Sequence, residues 1–351
     1  MSTVSYRALA LVLALVVGCK KTEEPPPPTD TEGDADTDAD ADSDADVDTG
    51  PSSSSGTTGA TADTAPALEV IDCATLPANP TLVTQLSAPR GYHDVAFDLD
   101  GNIIGSDDDN LIKVAHDGSS ALFVPGMGTV QGMDWLPDGD LVVAMDSTGS
   151  LIRVTPAGGT SVLATDVGAY GVIVGSDGMV YVANYRAIVR IDPATGDKEE
   201  IVQRPDLSPR VLNFSPDSTK LYIGTLGGTN GAVYVVDLDA NLDPLGPPAV
   251  FATGVGTGAY HDTLGVDVCG NLYVADYGTN ALYRVSTSGQ VSTFVDMDFN
   301  KYGHGMDWGS GIGGWLDDAI YLSQPYNNNN VVELVIGVPS RTAYGTVTLT
   351  F

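Results

Sequence analysis

Four histidines occur in this chain, and three of them, His93, His261 and His304, stand at the threshold of runs that alternate like β-strands: "YHDVAFD", "YHDTLGVD" and "HGMDW". Imidazole changes charge closest to neutral pH and is a frequent metal ligand, so its return at one kind of position asks for a shared destination. A turn marker recurs at Gly101, Gly139, Gly178, Ser218 and Gly270, and eight residues before each stand His93, Gln131, Tyr170, Arg210 and Asp262. The second "GMDW" aligns His304 with Gln131. Two imidazoles and a carboxylate suit Zn²⁺ or another first-row metal, with the Gln131 amide oxygen a weaker fourth donor. Arg210 would then hold a substrate carboxylate or a developing oxyanion, and Tyr170 would pass a proton. The alternative is an Arg210–Asp262 ion pair, with the histidines serving as neutral hydrogen-bonding groups in a polar channel. By strand alternation His261 points away from Asp262 and packs, and His116 in "VAHDGSS" is a turn residue.

These residues must be brought together by repeated elements. "HDVAFDLDGNIIGSDDDNLIKVAHDGSSALFV", "QGMDWLPDGDLVVAMDSTGSLIRVTPAGGTSVLA" and "YGVIVGSDGMVYVANYRAIVRIDPATGDKEEIV" are copies of one template, and three more copies begin near Arg210, Asp262 and His304. Each holds four short runs rich in Val, Ile, Leu, Tyr and Phe between Gly, Asp, Asn and Pro turns. Marker spacings of 38, 39, 40 and 52 residues, with four strands per copy and six copies, predict an all-β, six-bladed propeller of four-stranded antiparallel blades over residues 67–351. Equivalent positions on six inner strands point to the channel mouth, where a purely structural channel would more often carry small or apolar side chains. The stretch "DANLDPLGPPAVFATGVGT" reads as a loop insertion in the fourth blade. Either "TLVTQL" or the C-terminal "GTVTLTF" could close the ring. "SDDDN" and "NNNN" read as solvated turns.

The N-terminal part is different in kind. Arg7 precedes the apolar run "ALALVLALVV", too short to span a bilayer and suited to a secretory signal over residues 1–18. Residues 19–66, with "EEPPPP" and "DADTDADADSDADVD", cannot bury enough surface to offset ordering and are expected to form a disordered tether. The Asp alternation lacks the mid-loop Gly and closing Glu of an EF-hand. Beyond residue 66 there are 33 acidic residues (46 less 13) and 12 basic ones (15 less Arg7, Lys20 and Lys21). That balance argues against nucleic acid and anionic membrane surfaces as partners. Cys73 and Cys269 are the cysteines after Cys19 and, in an exported chain, a candidate disulfide.

"LVVGC" resembles the lipobox of bacterial lipoproteins. The resemblance implies an acylated Cys19, anchorage in the cell envelope through lipid alone, and, with Lys20 following, the outer membrane or cell surface rather than the inner membrane; the chain is expected to be a monomer. The blades, with "FSPDSTKLYIGT", "VCGNLYVADYGTNALYRVSTSGQ" and "VIVGSDGMVYVANY", resemble SMP-30/gluconolactonase/LRE-like propellers and the related NHL-type propellers. That family implies a divalent metal, Zn or Ca, held by a Glu, an Asn and an Asp at the starts of inner strands. His93, Arg210 and Asp262 match those positions, and Asp262 alone retains the family's residue type. NHL-type lyases acting on peptidylglycine likewise combine zinc-bound histidines with Tyr and Arg. The expected function is small-molecule binding at the channel mouth, with metal-dependent hydrolysis of the gluconolactonase type. The alternatives are a non-catalytic surface module for a protein or glycan, and a metal-dependent lyase.

Overall fold

A computed structural model describes residues 69–86 and 93–351, apart from 108, 146, 205, 228–229, 259, 299–302, 329 and 344. The signal, Cys19 and the tether lie outside the described residues. Residues 65–351 form one compact unit. Two strands precede the first repeat, β1 (Val70–Asp72) and β2 (Leu82–Leu86). Blade one is β3 (Ala96–Phe97), β4 (Asn102–Ser106), β5 (Leu111–Ala115) and β6 (Ser120–Val124). Blade two is β7 (Val130–Trp135), β8 (Leu141–Met145), β9 (Ser150–Val154) and β10 (Thr160–Ala164). Blade three is β11 (Val172–Val174), β12 (Val180–Ala183), β13 (Ala187–Ile191) and β14 (Lys198–Gln203). Blade four is β15 (Pro209–Phe214), β16 (Lys220–Thr225), β17 (Val233–Asp237) and β18 (Ala249–Ala252). Blade five is β19 (His261–Val266), β20 (Leu272–Asp276), β21 (Ala281–Val285) and β22 (Val291–Asp296). Blade six is β23 (Met306–Trp308), β24 (Ala319–Gln324) and β25 (Asn330–Val335), completed by β2 as its outermost strand.

The "TLVTQL" segment therefore closes the ring, pairing Leu82 with Val335 through Leu86 with Val331. The C-terminal segment does something else: β26 (Thr348–Thr350) runs parallel to β1, Val70 beside Thr348. Cys73 and Cys269 are bonded, with Cα atoms 5.6 Å apart, which ties this two-stranded clasp to blade five. Ile71, Cys73, Leu76 and Leu349 pack against the core of blades five and six. The fourth-blade insertion is shorter than the sequence suggests, because "AVFA" within it is β18 itself and the extra chain is confined to the β17–β18 connection.

Between the blades lie sheets of apolar side chains such as Val142, Val182, Ile188, Phe214, Ile223 and Val274, all buried, as expected where each face of a blade meets a neighbour. The turn markers all take positive φ, from 57° at Ser218 to 91° at Gly139, which is why Gly dominates there. That fixed turn gives each inner strand the same register, and so puts position eight before it at the same height in the channel.

Candidate functional site

The starts of the inner strands converge. His93 Nδ1 lies 2.9 Å from His304 Nδ1, and the rings meet edge to face at 4.6 Å. His304 Nε2 lies 3.3 Å from Asp262 Oδ2, and Arg210 Nη2 is 2.5 Å from Asp262 Oδ1. Tyr170 sits between them. Its hydroxyl receives Arg210 Nη2 and lies 3.4 Å from both Asp262 Oδ1 and His304 Nδ1, while the guanidinium covers its ring at 4.1 Å. Blades one, three, four, five and six thus contribute one continuous polar cluster. Tyr170, Asp262 and His304 are buried within it.

Two Nδ1 atoms at 2.9 Å must share one proton. If His304 donates Nε2–H toward Asp262, its Nδ1 accepts from His93 Nδ1–H, and the lone pair at the end of the relay falls on His93 Nε2. Burial, then the Arg210 charge, brings His93 down to about 4, and burial with His93 and Arg210 brings His304 down to about 2. Both imidazoles are neutral at pH 7. Burial pushes Asp262 up to about 7, opposed by Arg210, and burial holds the Tyr170 phenol well above its usual range. The cluster therefore carries one cation, one coupled carboxylate and three neutral groups that can hand on a proton. Arg210 Nε and Gln131 Oε1 are buried and have no hydrogen-bond partner among the described residues. Tyr185, whose ring meets Tyr170 at 5.8 Å, is held at φ 64°, a conformation bulky residues rarely adopt.

Gln131, on blade two, lines the same channel, but none of its hydrogen bonds to the cluster is seen among the described residues. His261 belongs to the scaffold: its Nδ1 accepts from Thr225 N at 3.1 Å and its Nε2 donates to Val255 O at 3.0 Å. His116 stacks edge-on to Trp315 at 4.8 Å, under the turn of blade one.

A second set of polar residues, not singled out from the sequence, lies further down the inner strands. Asp94 accepts from Met133 N at 2.8 Å, and Asp134 accepts from Val174 N at 2.6 Å. Asp307 accepts from the backbone of Phe97, and Asn213 Nδ2 donates to Leu264 O at 3.0 Å. Each reaches across to the next blade. The signal for three of them was present: Asp134, Asn213 and Asp307 all stand three residues after a ring position. Below them the 3₁₀ turn Arg341–Ala343 crosses the channel's lower end, where Arg341 Nε donates to Asn213 Oδ1 at 2.6 Å. The channel encloses ≈ 740 Å³, from Gln131, Tyr170, Asp262 and His304 above to Arg341 below.

The Glu–Asn–Asp set implied by the family resemblance is His93, Arg210 and Asp262 here, and Arg210, a cation, stands where that set has a ligand. The Arg210 guanidinium takes Asp262 Oδ1, and among the described residues no three His, Cys, Asp or Glu side chains are grouped to hold an ion. A cation placed on Asp262 would face a fixed positive charge.

Residues 209–302, which form blades four and five, match the SMP-30/Gluconolactonase/LRE-like region. No curated protein matches the chain. Among solved structures, the chain is similar to regucalcin, a calcium-binding protein from Agrobacterium tumefaciens, at 17% identity and a TM-score of 0.58, covering 77% of this chain and 96% of that one. It is similar to a gluconolactonase from Xanthomonas campestris at 13% identity and a TM-score of 0.59, covering 75% and 91%. A virginiamycin B lyase from Staphylococcus aureus gives 16% identity and a TM-score of 0.52 over 72% and 99%. At these identities the likeness is one of fold, and the fold is the six-bladed β-propeller.

Proposed function

We propose that this chain is a propeller of the SMP-30/gluconolactonase/LRE-like kind that binds a small carbonyl compound at the upper end of its channel and adds water to it, as in lactone or ester hydrolysis. The observation that carries this reading is the row of Asp262, His304 and His93, with approaches of 3.3 Å and 2.9 Å, beside a Tyr170–Arg210 pair whose guanidinium keeps a buried Nε–H without a partner among the described residues. Arg210 and Tyr170 would receive the carbonyl oxygen and hold the charge that develops on it. The neutral His93–His304 pair would take a proton from water and return it to the leaving oxygen. Here Arg210 supplies the positive charge that the related fold draws from a metal.

The test is hydrolysis of a panel of γ- and δ-lactones and a p-nitrophenyl ester by the full chain, with EDTA present throughout. His304→Gln and Arg210→Met are expected to lower kcat/KM by about 10²–10³. No turnover above buffer by the wild type would remove the catalytic reading. That result would favour a binding module, whose rim, not its ring, would be sensitive to substitution.

We further propose that the chain is exported and lipid-anchored at Cys19, from the "LVVGC" stretch after its apolar run. Cys19→Ser should shift the protein from the membrane pellet to the supernatant on fractionation. A wild type found wholly in the supernatant refutes the anchor.

A further inference from the structure

A second repeat stands beside the polar ring. In "YVANY", "YVADY" and "YLSQPY" the second strand of blades three, five and six is followed within two residues by a tyrosine, Tyr185, Tyr277 and Tyr326. The other three blades carry no tyrosine there. Blades three, five and six are also the ones that supply Tyr170, Asp262 and His304. The new rings reach that cluster: Tyr185 meets Tyr170 at 5.8 Å, and Tyr326 meets His304 at 5.6 Å. Tyr277 pairs edge-on with Tyr260 at 6.1 Å, and Tyr260 lies two residues before Asp262, its N–H donating to Asp276 Oδ1 at 2.9 Å.

The distribution of exposed apolar side chains is a separate observation. Tyr260, Tyr277 and Tyr326 are 42%, 46% and 55% exposed. Among the described residues the other exposed large apolar side chains are aliphatic, such as Leu122 and Val162 on outermost strands and Leu99 and Ile312 in lower turns, with the terminal Phe351 the exception. Exposed aromatic surface is thus gathered at one end of the molecule, against the polar cluster, and a patch of that kind rimmed by polar groups marks a ligand site. The polar groups around it indicate which ligand. Asn184 Oδ1 accepts from Arg186 N and Ala187 N, Asn327 Nδ2 donates to Gln324 Oε1 at 3.0 Å, and Asp276 accepts from Tyr260 N and Thr279 Oγ1. These amides and this carboxylate are spent on the turns that hold the tyrosines, whereas a sugar would need them for its hydroxyls. The rings themselves offer edges and faces, which an aromatic guest matches.

We propose that the carbonyl compound taken at the upper end of the channel carries an aromatic ring, which packs among Tyr260, Tyr277 and Tyr326 while its carbonyl oxygen faces Arg210 and Tyr170. The proposal rests on the reading of that end as a carbonyl site and adds the class of substrate. An aromatic guest meets the tyrosine rings edge to face, an arrangement that a saturated ring of the same size cannot reproduce and that contributes beyond the area it covers.

The experiment is calorimetric titration of the full chain with phenylacetamide, a stable aromatic carbonyl compound, with cyclohexylacetamide and gluconamide as matched probes, alongside hydrolysis of methyl phenylacetate. Phenylacetamide should bind about fivefold or more tighter than either of the others. Tyr260→Leu and Tyr326→Leu should each weaken its binding about threefold to tenfold and leave cyclohexylacetamide unchanged, whereas Tyr326→Phe, which keeps the ring, should bind like the wild type. Phe351→Leu, which removes the exposed ring of the C-terminus, should change nothing. Binding of phenylacetamide without hydrolysis of methyl phenylacetate would support the aromatic site and remove the catalytic reading, so the two fail separately. If phenylacetamide does not bind, if cyclohexylacetamide or gluconamide binds as tightly, or if Tyr260→Leu and Tyr326→Leu both bind it like the wild type, the proposal fails.

Discussion

The two levels of the channel use the same strands for opposite ends. At the upper level, His93, Tyr170, Arg210, Asp262 and His304 face one another side chain to side chain, within hydrogen-bonding or ion-pair reach. At the lower level, Asp94, Asp134 and Asp307 accept from backbone N–H groups of the following blade. Side-chain networks can rearrange around a guest, whereas a carboxylate bonded to a neighbour's backbone fixes the distance between two blades. One residue (His93 to Asp94) or three (Gln131 to Asp134, His304 to Asp307) thus separate groups available for chemistry from groups that hold the frame on which that chemistry depends.

The difference can be probed most strongly at the lower side. Replacing Cys73 and Cys269 with Ser removes a link across a sequence separation of 196 and should lower stability by about 2–4 kcal/mol in urea unfolding, with ligand contacts at the ring unchanged. An equal loss of ring function would show that the two levels are not separable. Next in size, Asp134→Ala strands the Val174 and Trp135 N–H groups and should cost about 1–3 kcal/mol, again read by urea unfolding. A cost near zero would mean that water takes over the clamp.

The smallest effect belongs to the ring and is read through pH. His93 is held at about 4 in the fold, below the ordinary value of 6.5, so the unfolded chain takes up the proton first. Its contribution to stability is present above pH 6.5 and lost as pH falls toward 4. Asp262 and Asp307, pushed up to about 7, act in the opposite sense: their contribution is full below the ordinary carboxylate value and lost as pH rises through 7. Comparing the wild type with His93→Gln isolates the histidine, and the variant should lose less stability between pH 6.5 and 4. Identical slopes would mean that His93 is protonated as freely in the fold as outside it.

Much of the architecture was legible because a propeller writes itself six times. The turn markers at Gly101, Gly139, Gly178, Ser218 and Gly270 share a positive φ, and counting back from them locates His93, Tyr170, Arg210 and Asp262 of one cluster, and Gln131, which lines the same channel. Closure was not legible. "TLVTQL" and "GTVTLTF" have similar alternation, and both lie with one face toward solvent, so strand pattern alone cannot rank them. Within the ring, adjacency was readable but bonding was not: whether Asp262 takes a metal or Arg210 depends on side-chain reach across the channel. The lower carboxylates escaped notice because an Asp beside a strand, as Asp94 is, or within one, as Asp134 and Asp307 are, reads as a turn or solvent-facing residue, and their partners are backbone groups that leave no mark in the sequence. The repeated "GMDW" was the available clue.

The pairing of β2 with β25 governs the order in which this molecule can be completed. The strand that seals blade six is made before any blade, and its partner lies at Asn330–Val335, after the strands of the other five blades. Cys73 likewise waits for Cys269. A chain that leaves the ribosome or crosses a membrane N-terminus first carries an unmatched strand through the making of five blades and locks shut only once β25 has followed. Assembly is thereby made to check that the chain is whole: a product truncated before blade six leaves β2 without its edge and the channel without its sixth wall.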